Sequence, residues 1–137
     1  MERLIRRLSL ARQALDTLLE LSGLPKPSQV ERDAAIQRFE YTVESCWKAA
    51  QAVLDTQFGI AVASPKPVIR ACAQNGLLTE DDAHAAMAMI DDRNLTSHAY
   101  NQDLAVAIHS RLADHAGLLG RWLTAMEQVA KDARMLR

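Results

Sequence analysis

The sequence predicts an all-α protein, an antiparallel up-and-down bundle of about five helices. Two observations carry that expectation. Apolar side chains recur every three to four residues over long stretches, the period of a helix with one face buried. Ala and Leu are abundant, whereas aromatic residues make up only 4% of the chain and there are only five glycines, a balance that favours helices over sheets. No stretch competes as a strand, and the chain carries no internal repeat or low-complexity tract.

The first helix is expected from about Arg3 to Leu21, with Leu4, Leu8, Ala11, Leu15 and Leu18 on one stripe. "SGLPKPS" then stops it, because two prolines and a glycine cannot continue a helix. A long second helix spans roughly Gln29 to Thr56, with Ile36, Phe39, Val43, Trp47, Ala50 and Leu54 facing inward. "GIAVASPKP" reads as a loop, and Ser64 before Pro65 suits a helix entry. The short third helix, "KPVIRACAQ", ends at Asn75–Gly76, a pair that favours a left-handed stop. Thr79 with Asp82 three residues on resembles a capping box for a fourth helix running through "AHAAMAMIDDR". Asn101 or Asp103 can cap the last helix, which is expected to reach about Lys131 with Leu104, Ile108, Leu112, His115, Leu119, Trp122, Met126 and Val129 inward. That last stripe keeps a spacing near 3.5 for longer than one small bundle needs, which points to a homodimer.

Length and composition set the class. The 137 residues fit one domain, 1–137, around a single moderate core, and 49% apolar with 24% charged residues marks a folding chain. A net charge of −1 gives no global attraction to nucleic acid or membrane, so any affinity for a polyanion must be local. Cys46 and Cys72 lack a CxxC or Cys/His context and read as buried thiols of a cytosolic protein. No run approaches the roughly 20 apolar residues of a membrane span, and the charged opening "MERLIRRLSLARQALDTLLEL" lacks the apolar stretch of a signal peptide. A soluble cytoplasmic protein is expected.

The densest chemistry lies in "DDRNLTSHAYN", Asp91 to Asn101. Arg93 is the sole Lys or Arg between Gln74 and Arg111, in a segment with six carboxylates. Its plainest role is an ion pair with Asp91 or Asp92, worth little if exposed. On a continuous helix, about 100° per residue puts Asp91, Asn94 and His98 on one face and Arg93, Thr96 and Tyr100 on another. Arg93 and His98 then stand about 140° apart. They can meet one ligand only if the helix ends near Thr96–Ser97 or if two copies each supply one group. Arg holds a phosphate oxygen through paired donors and stays charged as negative charge grows, while His moves protons near neutral pH.

Other candidates carry plainer readings. His84 and His109 are isolated on helices, and His115 on the apolar stripe reads as a hydrogen-bonded core histidine. Asp91 with His98 lacks a third ligand at metal-binding spacing, so no metal is expected. Trp47 and Trp122 read as core. Arg3, Arg6, Arg7 and Arg12 in "RLIRRLSLAR" are either a solvated helix face or a cationic rim for RNA or an acidic partner. Gly-rich phosphate loops, GxSxG and zinc motifs do not occur.

"RNLTSHAY" resembles the signature of HEPN-domain proteins: Arg, a polar residue, three residues, His, any residue, Tyr. "RDAAIQRFEYTVESCWKAAQAVL" and "SPKPVIRACAQNGLLTEDD" are similar to flanking helices of the subgroup called nucleotidyltransferase substrate-binding proteins, the HepT-like chains of MNT–HEPN pairs, so the likeness covers about Arg32 to Leu112. The resemblance implies a helical homodimer paired with a minimal nucleotidyltransferase as toxin and antitoxin. It implies a metal-independent endoribonuclease with Arg93 and His98 catalytic, Asn94 as supporting polar residue, and Tyr100 as the residue that the partner adenylylates. RNA would be the substrate, with no cofactor, no membrane and no DNA involved. A second reading of the same cleft is a non-catalytic subunit that binds a nucleotide or substrate for the transferase.

Overall fold

The computed structural model describes residues 1–136. Five α-helices follow one another: α1 (Glu2–Ser22), α2 (Gln29–Phe58), α3 (Pro65–Gln74), α4 (Glu80–Leu95) and α5 (Gln102–Met135), with a single 3₁₀ turn over Thr96–His98 between the last two. No strand occurs among the described residues.

Local chemistry sets most helix ends. Ser28 starts α2 with a full capping box: its hydroxyl accepts from the Glu31 N–H, and the Glu31 carboxylate accepts from the Ser28 N–H. Gly59, at φ +66°, closes α2, with the Ile60 N–H reaching back to the Leu54 carbonyl. The helix thus runs two residues past Thr56, to the first residue able to turn left-handed. Thr79 caps α4 by accepting from the Asp82 N–H at 3.1 Å. Asp82 does not close the box; its carboxylate takes two bonds from Arg121 on α5 instead. Asn101 is the cap of α5, accepting from the Leu104 N–H at 3.1 Å. That helix continues four residues beyond Lys131, because "DARM" contains no breaker.

Long-range pairs fix the packing. Arg38 near the start of α2 bonds to Thr17 O and Glu20 near the end of α1, so these two helices are antiparallel. Asp92 reaches Arg111 and Asp82 reaches Arg121, which makes α4 and α5 antiparallel as well. Arg12 of α1 clasps Glu127 of α5. Phe39 stacks on His115 with ring centroids 5.2 Å apart, joining α2 to α5. The four long helices run up, down, up and down, and short α3 packs against α2 and α4.

One apolar cluster joins all five helices. Trp122, Phe39, Leu15, Leu18, Ile69, Met89 and Leu119 are sealed inside it. Their burial supplies the main stabilisation, on the order of 1.5–3 kcal/mol for each large side chain. Trp47, expected inside, is only half-buried, and its indole N–H points to Glu44 at 3.1 Å. Burial pushes the Cys46 thiol up to about 12 and the Cys72 thiol up to about 11. Both are free and inert to ordinary thiol chemistry while folded.

Candidate active site

The end of α4 builds the site. The Thr96 hydroxyl donates to the Arg93 carbonyl at 2.6 Å and the Ser97 hydroxyl to the Asn94 carbonyl at 3.2 Å. Those bonds satisfy carbonyls that a longer helix would have used, and the chain tightens into the 3₁₀ turn. Thr96 is buried, so the turn is anchored rather than frayed. The α-helix therefore ends at Leu95, beside Thr96–Ser97, where a break is one of the two conditions for Arg93 and His98 to meet one ligand.

Arg93 lies in the last turn of α4, where a cation complements the helix dipole. Its Nε stands 3.3 Å from Glu44 Oε1 on α2. This pairing replaces the one expected with Asp91 or Asp92. Asp91 instead binds Lys66 at 2.7 Å. Asp92 points into the bundle, where it takes two bonds from Arg111, at 2.7 and 2.8 Å, and meets His115 Nε2 at 2.7 Å. Neighbouring carboxylates on one helix diverge, so the nearest acid in sequence is not the nearest in space. The Arg93 Nε is sealed from solvent and too poorly aligned with Glu44 for a hydrogen bond, so the contact is ionic and the Nε–H goes unpaired.

Asn94 and His98 are exposed, and Tyr100 is 83% exposed. The His98 and Tyr100 rings meet edge to face, with centroids 6.1 Å apart. A continuous helix would have grouped Tyr100 with Arg93; the 3₁₀ turn groups it with His98. Within one chain Arg93 and His98 share no hydrogen bond or ion pair among the described residues. The histidine is thus an open imidazole, and the arginine is a guanidinium steered from behind by a carboxylate.

Asp92 supports this end from beneath. Burial opposes its ionisation, but the hydrogen bonds and charges of Arg111 and His115 outweigh that, holding its carboxyl below the usual range. Being adjacent to Arg93, it ties the motif's backbone to α5. The sequence offers Asp92 only as an ion-pair partner of Arg93, not as a tie to α5, and gives Glu44 no role in the motif. The only available signal was the pair Glu44 and Trp47, three apart on a helix and polar at the rim of the apolar stripe. Among the described residues no group of three His, Cys, Asp or Glu side chains is placed to hold a metal ion.

A family model described as "Nucleotidyltransferase substrate binding protein like" matches residues 4–128. The chain belongs to this family. A protein of Thermus thermophilus with a crystal structure is 53% identical, with a TM-score of 0.83 over 85% of this chain and 98% of that one. A mutant of the MntA–HpeT toxin–antitoxin superposes with a TM-score of 0.76 at 16% identity, covering 93% and 99% of the two chains. A tri-AMPylated HEPN toxin of Shewanella oneidensis, in complex with an MNT antitoxin, gives 0.71 at 18% identity over 91% and 96%. No protein of curated function matches the sequence. This nucleotidyltransferase substrate-binding-like chain therefore has the HEPN-toxin fold, with "RNLTSHAY" at the junction of α4 and α5.

Proposed function

We propose that the chain is the ribonuclease toxin of a toxin–antitoxin pair, acting in the cytoplasm on RNA without a metal ion. Two copies bring their α4–α5 junctions together around one cleft. His98 removes the proton of a ribose 2′-hydroxyl, whose oxygen attacks the adjacent phosphorus. The 5′-oxygen leaves, taking a proton from water while His98 returns its own to solvent, giving a 2′,3′-cyclic phosphate and a 5′-hydroxyl. Arg93 stabilises the crowded phosphorane, and Asn94 offers a supporting amide. A minimal nucleotidyltransferase silences the toxin by adenylylating Tyr100, which places a charged nucleotide beside His98 and blocks the cleft.

The observation that carries this reading is the termination of α4 at Leu95, which leaves His98 and Tyr100 in contact and open while Arg93 is held one turn earlier. The family, and structural relatives described as a toxin–antitoxin and as an AMPylated HEPN toxin bound to an MNT antitoxin, support it. A second reading has support of its own. The family's description as substrate binding and the Glu44 carboxylate against Arg93 favour a non-catalytic subunit that presents a nucleotide or substrate to the transferase.

Purified wild type, Arg93→Ala and His98→Ala, each incubated with RNA in EDTA, separate the two. The toxin reading expects cleavage to cyclic-phosphate ends by wild type, with His98→Ala about 10²- to 10⁴-fold slower. Equal RNA survival in all three, with matching circular dichroism, rejects the nuclease. Arg93-dependent nucleotide binding would then support the second reading.

A further inference from the structure

Glu44, Lys48, Gln51 and Asp55 recur along α2 at steps of four, three and four residues, so helix geometry stacks them on one face. Arg93 meets the first of them. The other three line a cleft of about 440 Å³ between α2, the start of α1 and the α2–α3 connection. Arg3 and Arg7, one turn apart, supply cations from α1, and Lys48 supplies one from α2. Asp55 is the sole carboxylate in the lining. Ile60 and Val62 give it an apolar wall, held in place by two tethers. The Ile60 N–H donates to Leu54 O at 3.0 Å, and the Gln51 amide donates to Val62 O at 2.7 Å.

Arg3, Arg7 and Lys48 make no ion pair among the described residues, whereas Arg12 on the same helix is taken up by Glu127. Three uncompensated cations facing one carboxylate in a recess with apolar walls concentrate positive potential there. On a chain of net charge −1 this is a local excess. The steps from Glu44 to Lys48 and from Arg7 to Arg3 are each about one helical turn, or 5.4 Å, comparable with the separation of successive phosphates on an extended strand. The recess begins at Lys48, one helical turn along α2 from the Glu44 that Arg93 meets, and its row of cations suits a flexible polyanion strand.

We propose that this cleft binds the phosphodiester backbone of single-stranded RNA, so that a strand engaged at Arg93 and His98 continues over Lys48, Arg7 and Arg3. The cations track backbone charge and the Ile60–Val62 wall takes a base face, so binding is tolerant of sequence. The identity of the strand rests on the ribonuclease reading.

The test measures affinity for a short single-stranded RNA across a range of salt concentrations, in chains carrying His98→Ala so that the probe stays intact. Replacing Arg3, Arg7 and Lys48 together by Gln is expected to weaken binding about tenfold or more. It should also lower the slope of log affinity against log salt by about 2, the share of three phosphate contacts on a single strand. Asp55→Asn is expected to move affinity the opposite way, which a folding defect would not do, and melting curves check that each variant is folded. An unchanged slope in the triple variant overturns the cleft. So does loss of co-purification with the nucleotidyltransferase while RNA binding is intact, which would make this a protein interface. AMP binding as tightly as the oligonucleotide would assign it to a free nucleotide and overturn the strand. Cleavage by the His98-intact chain is read separately: cleavage with an unchanged slope fails the cleft alone, and a normal slope shift without cleavage fails the nuclease alone.

Discussion

Arg93 on α4 and Glu44 on α2 stand 3.3 Å apart, Nε to Oε1, with side chains 28% and 36% exposed. The second Glu44 oxygen accepts the Trp47 indole N–H at 3.1 Å. One carboxylate thus orients the motif's guanidinium and opposes its charge.

Glu44→Gln keeps an acceptor for Trp47 and removes the charge. Partial exposure limits the pair to less than about 1 kcal/mol of stability, so the melting temperature should hardly move. Affinity for a phosphate at Arg93 should rise, because the guanidinium no longer shares its charge with a carboxylate. Calorimetric titration of a non-cleaved RNA analogue, beside a thermal melt, reads both. Weaker binding in the variant would mean that Glu44 acts chiefly by positioning Arg93.

The Asp92 cluster should matter more to stability than any exposed pair. Asp92→Ala removes a buried carboxylate that bonds both Arg111 and His115, leaving His115 without its partner. A loss of about 3 kcal/mol is expected, lowering the melting temperature by about 10 °C. The acid behaviour follows from the same contacts. The folded carboxyl titrates below its unfolded value near 3.9, so its contribution is complete above that pH and fades as the pH drops through the lowered native value. Denaturant midpoints measured from about pH 5 downward should fall more steeply for wild type than for Asp92→Ala.

Much of this was legible in advance. The inward stripes, the helix start at Ser64–Pro65, the caps at Thr79 and Asn101, and the hydrogen-bonded His115 all depend on residues within a few positions of one another or on helical period. The partner of Arg93 was not, because Glu44 lies 49 positions earlier and only the packing of α4 on α2 joins them. The placement of Tyr100 was missed for a local reason. Assigning faces at 100° per residue assumes a continuous helix, and the Thr96 and Ser97 hydroxyls end it. A break at this point is one of the two conditions that the roughly 140° separation of Arg93 and His98 on a continuous helix sets for them to act together.

Tyr100 is open to a modifying enzyme, being 83% exposed, and its ring meets that of His98 edge to face. If the proposed pair is right, co-expression with the minimal nucleotidyltransferase should add AMP to the peptide containing Tyr100. Tyr100→Phe should stay unmodified and keep its toxicity in the partner's presence. Intact-mass and peptide spectra check this, and an unmodified Tyr100 beside an active partner contradicts it.

The most direct test of a shared site mixes two inactive chains. Arg93→Ala and His98→Ala, combined into heterodimers, rebuild one complete pair from two copies when the two motifs act on a single phosphate. RNA cleavage in EDTA should therefore return in the mixture, at a fraction of the wild-type rate, while each variant alone stays silent. Verified heterodimers that leave RNA intact, in conditions where wild type cuts it, would contradict a cleft built from both chains.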